Sequence, residues 1–145
     1  MKPRFDACAT GDVKVLREAF AAFHPEARAV IDAAPDVHKR PLVDRDPLER
    51  WVDGKVALLG DACHPMTPYM AQGAAMAIED AAVLSRCLDG VAREGVVDAF
   101  RRFEATRKSR TERIQQTSRA NTWLSARTDT DWVYGYDAWT VPLAA

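Results

Sequence analysis

A short stretch of the chain after Val56 has the residue types of a ligand site. Residues 56–59 form a continuous apolar run that ends at Gly60, which is typical of a strand buried on both faces, as in a parallel sheet. Asp61 follows at once, and ligands of open α/β sheets bind outside the carboxyl ends of the strands. A glycine at that point lets the backbone approach a ligand closely. We therefore expect Asp61 to face a ligand that carries hydroxyl groups.

The next part of this stretch is a loop that leads into a helix. Pro65 and Pro68 stiffen the loop, and the helix predicted over residues 71–88 begins with small side chains. Free N–H groups at a helix start carry partial positive charge, and Gly73 leaves room for a planar or anionic group to reach them. Since no lysine or arginine lies between Lys55 and Arg86, a weakly charged anion is favoured over a bare phosphate.

Several residues of the same stretch also have a plainer structural interpretation. Asp61 could cap a turn, as Asp after Gly often does, although ligand contact is favoured here. His64 is expected to make a structural hydrogen bond rather than to act in catalysis, and Cys63 to be packed rather than reactive. The small side chains of the helix predict a close packing face, made of Ala71, Ala74, Ala75, Ile78 and Ala82.

The charged residues outside the loop suggest surface roles. Glu79 and Asp80 are adjacent on the predicted helix, so they should point in different directions and be solvated or paired with an arginine. The arginine-rich residues 101–113 are interrupted by Glu104 and Glu112, which favours a solvated helix face. The segment Arg45-Asp46-Pro47 is equally consistent with orienting a ligand loop and with a turn that bears a surface ion pair.

Other elements must position this stretch. Helical periodicity predicts one helix over residues 12–23 and another over 25–33, the second with Pro25 in its first turn. Residues 37–43 are expected to be extended, but Pro41 restricts them to an edge or a short strand. Residues 44–54 are predicted to be loop, with a turn at residues 52–55.

The C-terminal third is predicted to be helical and then irregular. Asp89-Gly90 should end the helix over residues 71–88, and a further helical pattern begins near Val96 and continues past Ile114 toward Leu124. The tail over residues 128–145 is aromatic and is interpreted as a packing flap.

The composition excludes several classes of protein. The 145 residues include 20 basic and 21 acidic side chains, so charge gives no case for nucleic acid or an anionic membrane. Three cysteines without a C-x-x-C pair and three scattered histidines predict neither a disulfide framework nor a metal site. No apolar run has membrane-spanning length, so a cytoplasmic protein is expected.

The loop and the helix start together resemble a known motif. The residues that carry the resemblance are Gly60-Asp61-Ala62-Cys63-His64-Pro65, then Pro68, Gln72-Gly73-Ala74 and Glu79-Asp80-Ala81. They are similar to the second FAD-binding motif of the group A flavoprotein aromatic hydroxylases. Within that family the chain most resembles 6-hydroxynicotinate 3-monooxygenases, through residues 60–79, 120–124 and 132–137, with salicylate hydroxylases as close neighbours.

The resemblance implies an α/β fold, the C-terminal part of a Rossmann-like FAD-binding monooxygenase, mostly helical with a few strands. It implies that Asp61 binds the ribityl chain of FAD and that the N–H groups of Gly73 and Ala74 face the pyrimidine end of the ring. Pro68 and Tyr69 would lie on the catalytic, substrate-facing side. The 6-hydroxynicotinate enzymes are expected to carry a histidine at the position of Tyr69. This difference puts the exact aromatic substrate in doubt. Gly60 and Gln72 complete the implied cofactor-binding residues.

The reaction implied by the resemblance is hydroxylation of an aromatic or hydroxypyridine ring through a flavin hydroperoxide, with NAD(P)H and O2 as co-substrates and a possible homodimer as the assembly. Residues 1–43 would belong to a substrate domain, 44–90 to the FAD domain and 91–145 to a C-terminal extension. Since no G-x-G-x-x-G motif is present, we expect a fragment that lacks the N-terminal FAD-binding half, binds FAD poorly or not at all alone and is inactive by itself. The alternatives are an inactive remnant or helical interaction module, a salicylate hydroxylase-like enzyme and a flavin oxidoreductase that does not hydroxylate.

Overall fold

The computed structural model describes residues 9–121 and 129–145 of the chain. Two units are separated at residue 42, Met1–Leu42 and Val43–Ala145. The assignment of residues 1–43, 44–90 and 91–145 to three functional parts stays a prediction. Residues 122–124 of the resembling segments and Thr128 of the tail lie outside the described residues.

The first unit is a pair of short helices between two paired strands. Strand β1, Ala9–Thr10, pairs antiparallel with β2, His38–Lys39, and between them lie α1, Val13–Ala19, and α2, Pro25–Asp32. The Asp12 side chain caps α1 by accepting a 2.8 Å hydrogen bond from the N–H of Lys14. Helix α1 ends earlier than predicted because the chain after it closes into tight turns, which bring the rings of Phe20 and Phe23 within 4.8 Å. None of the described residues of this unit is fully buried.

The second unit begins with a tight hairpin rather than with the expected buried strand. Strand β3, Val52–Asp53, pairs antiparallel with β4, Val56–Ala57, across the predicted turn, where Gly54 has φ of 56°. The prediction of a parallel, fully buried strand over residues 56–59 is therefore wrong. Because the chain reverses so soon, each strand has two residues, and the side chain of Val56 is 62% exposed.

Two long helices form the body of the second unit. Helix α3, Gly73–Leu88, ends at Asp89-Gly90 as predicted, with Gly90 at φ of 68°. Helix α4, Val96–Ala120, begins at the predicted residue and is a single helix of 25 residues. It ends at Ala120, short of the predicted Leu124, with Asn121 in the left-handed conformation. Pairs such as Asp80 with Arg107 and Cys87 with Ala99 show that the two helices run antiparallel.

The face of α3 that packs against α4 is not the predicted one. Its buried stripe consists of Met76, Asp80, Ala82, Val83 and Cys87, whereas Ala71, Ala74 and Ile78 are exposed. Ala82 belongs to both the predicted and the observed face, but Ile78, the largest apolar side chain of the predicted face, is 70% exposed. Ala71 and Ala74 face outward near the start of α3.

The core is built around Trp51 and Phe103, whose ring centroids are 5.9 Å apart. The backbone N–H of Trp51 donates a 2.8 Å hydrogen bond to the carboxylate of Glu104, which ties the segment before the hairpin to α4. The tail, which includes helix α5, Asp131–Tyr134, packs on the same body through Val133 and Ala138. This confirms its interpretation as a packing flap. Within the described residues, no helix combines the length and the apolar character needed to cross a bilayer.

Candidate functional site

Gly60 marks the point where the hairpin gives way to the loop that carries the predicted site. The chain enters a 3-10 helix, Gly60–Ala62, with Gly60 at φ of 60°, a conformation that favours glycine. A Cβ atom at this position would lie 3.2 Å from the Cβ of Ala77 on α3. Gly60 is thus required by its backbone and by packing, and it is buried beneath the surface rather than exposed to a ligand.

A surface hollow of about 470 Å³ lies between this loop and the start of α3. Four of the predicted site residues line it, namely Asp61, Pro68, Gly73 and Ala74. Sequence reasoning missed the other lining residues, which are Met66, Thr67, Ala71 and Ala77. Ala77 lies one helical turn after Gly73, so helical spacing could have identified it.

Three predicted residues lie outside the hollow. Gly60 is buried behind it, and Gln72 is buried with its side-chain amide 3.4 Å from the carbonyl of Met70. Tyr69 follows Pro68 in a second 3-10 helix, Pro68–Met70, and its side chain is exposed beside the hollow rather than lining it.

No neighbour of Gly73 among the described residues requires a glycine at this position. A Cβ atom there would be 3.8 Å from Met66 Cγ and 4.0 Å from Asp61 Oδ1, which are ordinary contacts, and its φ is not positive. Neither packing nor backbone conformation therefore requires glycine, in contrast to Gly60. The missing side chain leaves room in the hollow at the first residue of α3.

The start of α3 presents free hydrogen-bond donors to this space. Gln72 is the N-cap residue, and no side chain of the described residues caps the helix there. The first N–H groups of an α-helix have no partner within the helix and carry partial positive charge. Ala71, just before, has φ of 53°, which is an uncommon conformation for a residue with a side chain. The chain thus turns sharply to bring Gly73 and Ala74 to the hollow.

The loop and α3 are joined by a buried carboxylate. Asp80 Oδ2 is 2.5 Å from His64 Nε2 and accepts a 3.0 Å hydrogen bond from the N–H of Gly60, and its Oδ1 accepts a 2.8 Å bond from Arg107 Nε. Asp80 and Arg107 are fully buried, and His64 is nearly so. The expected structural role of His64 is confirmed, because its ring nitrogen is engaged with Asp80.

Arginines of α4 complete the network. Arg107 also donates a 2.7 Å hydrogen bond to Glu79. Arg110 donates to both carboxylate oxygens of Glu79 at 2.8 Å each. Arg110 donates in addition to the carbonyls of Trp132 and Val133. The pairing of Glu79 and Asp80 with arginine is confirmed, but the expectation that they point apart is wrong, because both reach Arg107. The interpretation of residues 101–113 as a solvated face is wrong at Arg107 and Arg110, since α4 turns this face toward α3.

Aromatic rings of the tail cover the arginines. The guanidinium of Arg110 lies 3.9 Å from the ring centre of Tyr136, and that of Arg113 lies 3.9 Å from the ring centre of Trp132. Such contacts between a cation and an aromatic face stabilise by roughly 0.5–2 kcal/mol, more when they are shielded from water. The tail therefore helps to shield the ion network.

The environment of Asp80 keeps it ionised. Burial alone would raise its pKa, but hydrogen bonds from His64, Arg107 and Gly60 outweigh burial and hold the pKa below its ordinary value. Burial and the nearby charge of Asp80 have the opposite effect on Cys63 and raise its pKa to about 12. Cys63 is thus a neutral, fully buried thiol at physiological pH, as expected of a packed cysteine.

Cys63, His64 and Asp80 bring their donor atoms within 4.8 Å of one another. The thiol lies 3.5 Å from the carbonyl of Gly60, and Asp80 bonds to His64, Gly60 and Arg107, whereas His64 Nδ1 has no partner among the described residues. A guanidinium beside the cluster would also repel a cation. The arrangement is that of a structural network rather than of a metal centre.

The segment Arg45-Asp46 serves both of the roles considered for it. Arg45 donates a short hydrogen bond to the carbonyl of Ala62, next to Asp61. Asp44 and Asp46 pair with Arg119 of α4 at 2.5 and 2.7 Å. Hydrogen bonds from Arg119 hold the pKa of Asp44 below its usual range. The segment therefore combines a loop support with ion pairs.

Replacement of Asp80 tests the network. Asp80→Asn should lower the free energy of unfolding at pH 7 by about 3–5 kcal/mol, because it leaves Arg107 partly unpaired. The pKa of Asp80 is lower in the folded state than in the unfolded state. The contribution of Asp80 to the free energy of unfolding is therefore fully present above the ordinary carboxyl pKa of about 4. It is lost as the pH falls through the pKa of the folded state. Urea unfolding of both proteins should show a constant gap from about pH 5 to 7 that shrinks below about pH 4.

Asp53→Asn is the matched control, because Asp53 lies exposed in the hairpin and should leave stability within about 0.5 kcal/mol. Other carboxyls with a lowered pKa, such as Asp44 and Asp137, contribute equally to the free energy of unfolding of the wild type and of Asp80→Asn. Their contributions therefore cancel when the two free energies are subtracted. If the difference in free energy of unfolding between the two proteins stays the same down to pH 2, the ionised carboxylate of Asp80 does not stabilise the network.

Comparison with known proteins identifies the family of the chain. The model of the FAD binding domain family matches residues 21–118. A 6-hydroxynicotinate 3-monooxygenase of Bordetella bronchiseptica is 51% identical over 128 residues, which cover 88% of this chain and 33% of that protein. The chain thus spans about a third of the length of this curated relative.

Solved structures show the same fold. A salicylate hydroxylase in a substrate complex superposes with a TM-score of 0.75 at 23% identity, over 95% of this chain and 38% of that one. HpxO of Klebsiella pneumoniae, in a crystal structure with FAD and uric acid, has a TM-score of 0.62 at 28% identity, over 86% of this chain and 33% of that one. The predicted fold, a mostly helical part of the α/β FAD-binding monooxygenase architecture, is confirmed. The chain belongs to the FAD binding domain family.

Proposed function

We propose that this chain supplies the flavin-contacting wall of an FAD-dependent monooxygenase that hydroxylates a small aromatic or hydroxypyridine ring such as 6-hydroxynicotinate. The observation that carries the proposal is the convergence of Asp61, Pro68 and Gly73 on one hollow in a chain of the FAD binding domain family. Residues separated in sequence meet there at the start of a long helix.

The residues of the hollow fit a flavin. A volume of about 470 Å³ suits part of a cofactor, since ligand pockets are usually about 300–1,000 Å³. The carboxylate of Asp61 offers acceptors for the hydroxyl groups of the ribityl chain. The space beside Gly73 allows a planar ring to approach the backbone closely.

The start of α3 offers a favourable electrostatic environment for the ring. The N–H groups of Gly73 and Ala74 would donate to its pyrimidine end and stabilise negative charge there. Pro68 has no N–H group, so it forms a rigid wall that does not compete for hydrogen bonds. When bound, FAD would supply the redox chemistry, taking electrons from NAD(P)H and reacting with O2.

Tyr69 is our candidate for contact with the aromatic substrate. It is exposed and directly follows Pro68, so it lies beside the hollow rather than in it. Its hydroxyl can donate and accept one hydrogen bond each, which suits a hydroxyl or ring nitrogen on a substrate. The name of the Bordetella relative favours 6-hydroxynicotinate, and that of the salicylate hydroxylase structure supports a hydroxybenzoate as the alternative substrate.

The hollow is open, and the sequence has no G-x-G-x-x-G motif for the adenine half of FAD. We therefore expect the chain by itself to bind FAD no more tightly than micromolar. The homodimer and the cytoplasmic location also stay predictions.

Gly73→Ala separates ligand space from protein stability. The new methyl group meets only ordinary contacts, and alanine favours a helix by about 0.5–1 kcal/mol, so unfolding should be unchanged or slightly harder. The methyl group would occupy flavin space, so FAD affinity should fall at least about tenfold. Titrations that follow flavin fluorescence, run to high FAD concentration, measure this loss.

Asp61→Asn should weaken FAD binding as well, whereas Asp53→Asn, in the exposed hairpin, should leave it unchanged. Equal FAD affinity for Gly73→Ala and the wild type would place the flavin elsewhere.

Turnover of the complete flavoprotein that contains this chain, rather than of the chain alone, tests the reaction. We expect 6-hydroxynicotinate to stimulate NADH oxidation and O2 uptake in equal amounts, with a hydroxylated product. Tyr69→Phe should raise the KM for the aromatic substrate by about two- to tenfold, since loss of a single hydrogen bond costs roughly 0.5–1.5 kcal/mol. NADH oxidation that no phenol or hydroxypyridine stimulates would instead indicate a flavin oxidoreductase that does not hydroxylate.

A further inference from the structure

We propose that Gln115 and Ser118, near the end of α4, are positioning residues that hold the loop with Pro68 in place against the flavin. The proposal rests on the proposed function, because it gives these two side chains a role at the same hollow. Both are buried polar residues, with exposures of 2% and 0%. Buried polar groups are costly unless they are hydrogen bonded, so their partners indicate what they are for.

Ser118 is bonded twice to Thr67. Its Oγ lies 2.7 Å from the carbonyl oxygen of Thr67 and 2.9 Å from Thr67 Oγ1. Because a carbonyl can only accept, the single hydroxyl proton of Ser118 goes to the carbonyl, and the hydroxyl of Thr67 donates back to Ser118. Ser118 therefore fixes both the backbone and the side chain of a residue that lines the hollow.

Gln115 uses both N–H bonds of its amide nitrogen. Nε2 lies 2.8 Å from the carbonyl of Pro65 and 2.9 Å from that of Arg45. Arg45 in turn donates to the carbonyl of Ala62, beside Asp61. Gln115 thus ties the start of the loop to the segment that supports Asp61.

The loop has few other hydrogen bonds of its own. Among the described residues, the backbone of Pro65, Met66 and Thr67 takes part in no hydrogen bond with another backbone group. Prolines at positions 65 and 68 also lack an N–H group. The two side chains from α4 therefore supply the hydrogen bonds that the carbonyls of Pro65 and Thr67 receive within the described chain.

Gln115 and Ser118 lie three residues apart and so share a face of α4. Arg107 and Thr111, which are also buried, extend the same face toward Asp80. The helix therefore holds the Gly60 turn through the ion network and the Pro68 loop through these two residues. A shift of the loop relative to α3 would change the spacing between Pro68 and Gly73 across the hollow, and small misplacements in an active site are costly.

The test compares Ser118→Ala and Gln115→Glu with the control Thr117→Val. Thr117 lies between the two on α4, and its hydroxyl bonds only to the carbonyl of Arg113 in its own helix among the described residues. In the protein without flavin, amide hydrogen exchange at His64 and Ala71, whose N–H groups donate to the carbonyls of Gly60 and Pro68 at the two ends of the loop, should be about tenfold faster in both variants and unchanged in the control.

In the complete flavoprotein that contains this chain, Ser118→Ala should shift the visible absorption spectrum of FAD and divert NADH oxidation from hydroxylation to hydrogen peroxide. The KM for NADH should stay within about twofold, because the proposed contact of the loop is with the flavin ring and not with NADH. Ser118→Thr keeps the hydroxyl and should restore coupling.

Variants that match Thr117→Val in hydrogen exchange would overturn the proposal. Faster exchange with an unchanged flavin spectrum and unchanged coupling would also overturn it, since the two residues would then be merely structural. If the complete flavoprotein that contains this chain takes up no FAD at any concentration, the proposed function fails and the positioning role falls with it. The exchange data distinguish that failure from a loosened loop.

Discussion

The buried carboxylate of Asp80 is the interaction on which the rest of this structure depends. It bonds to the N–H of Gly60, to His64 and to Arg107, and so joins the hairpin exit, the loop and both long helices. Taking an ion pair out of water is expensive and is repaid only when nearly every donor and acceptor is satisfied. Here Glu79 and the aromatic tail complete the arrangement around Arg107 and Arg110. The network therefore fixes the relative positions of these elements rather than acting as a general source of stability.

The position of Asp80 explains how an open hollow can have a well-defined geometry. Asp61 follows Gly60 directly, and Gly73 begins the helix that carries Asp80, so one carboxylate sets both sides of the hollow. Most of the residues that line the hollow are small or rigid, namely Pro68, Ala71, Gly73, Ala74 and Ala77. Their geometry is set from behind by buried residues that do not line the hollow, as a preorganised site requires.

Sequence reasoning located the hollow because its signals are local. Glycine before an acid, two prolines and a glycine at a helix start each restrict the backbone within a few residues, and Asp61, Pro68, Gly73 and Ala74 do line one hollow. The supporting contacts could not be predicted this way, since Asp80 meets Arg107, and Ser118 meets Thr67, across long separations in sequence. The apolar run after Lys55 is typical of a buried parallel strand, but its partner is the strand just before it, because an apolar run by itself does not identify the partner of a strand. The arginine-rich part of α4 was assigned to solvent because burial of Arg107 depends on a carboxylate 27 residues earlier in the chain.

The central claim is that the hollow beside Gly73 binds the flavin ring while buried residues hold its walls in place. The most direct measurement is a titration of the isotope-labelled protein with FAD, followed through the amide resonances of the described residues. The account predicts that the largest shifts fall on Asp61, Gly73 and Ala74. Shifts centred instead on the surface around Arg113 and Trp132, with Gly73 and Ala74 unmoved at saturating FAD, would contradict it.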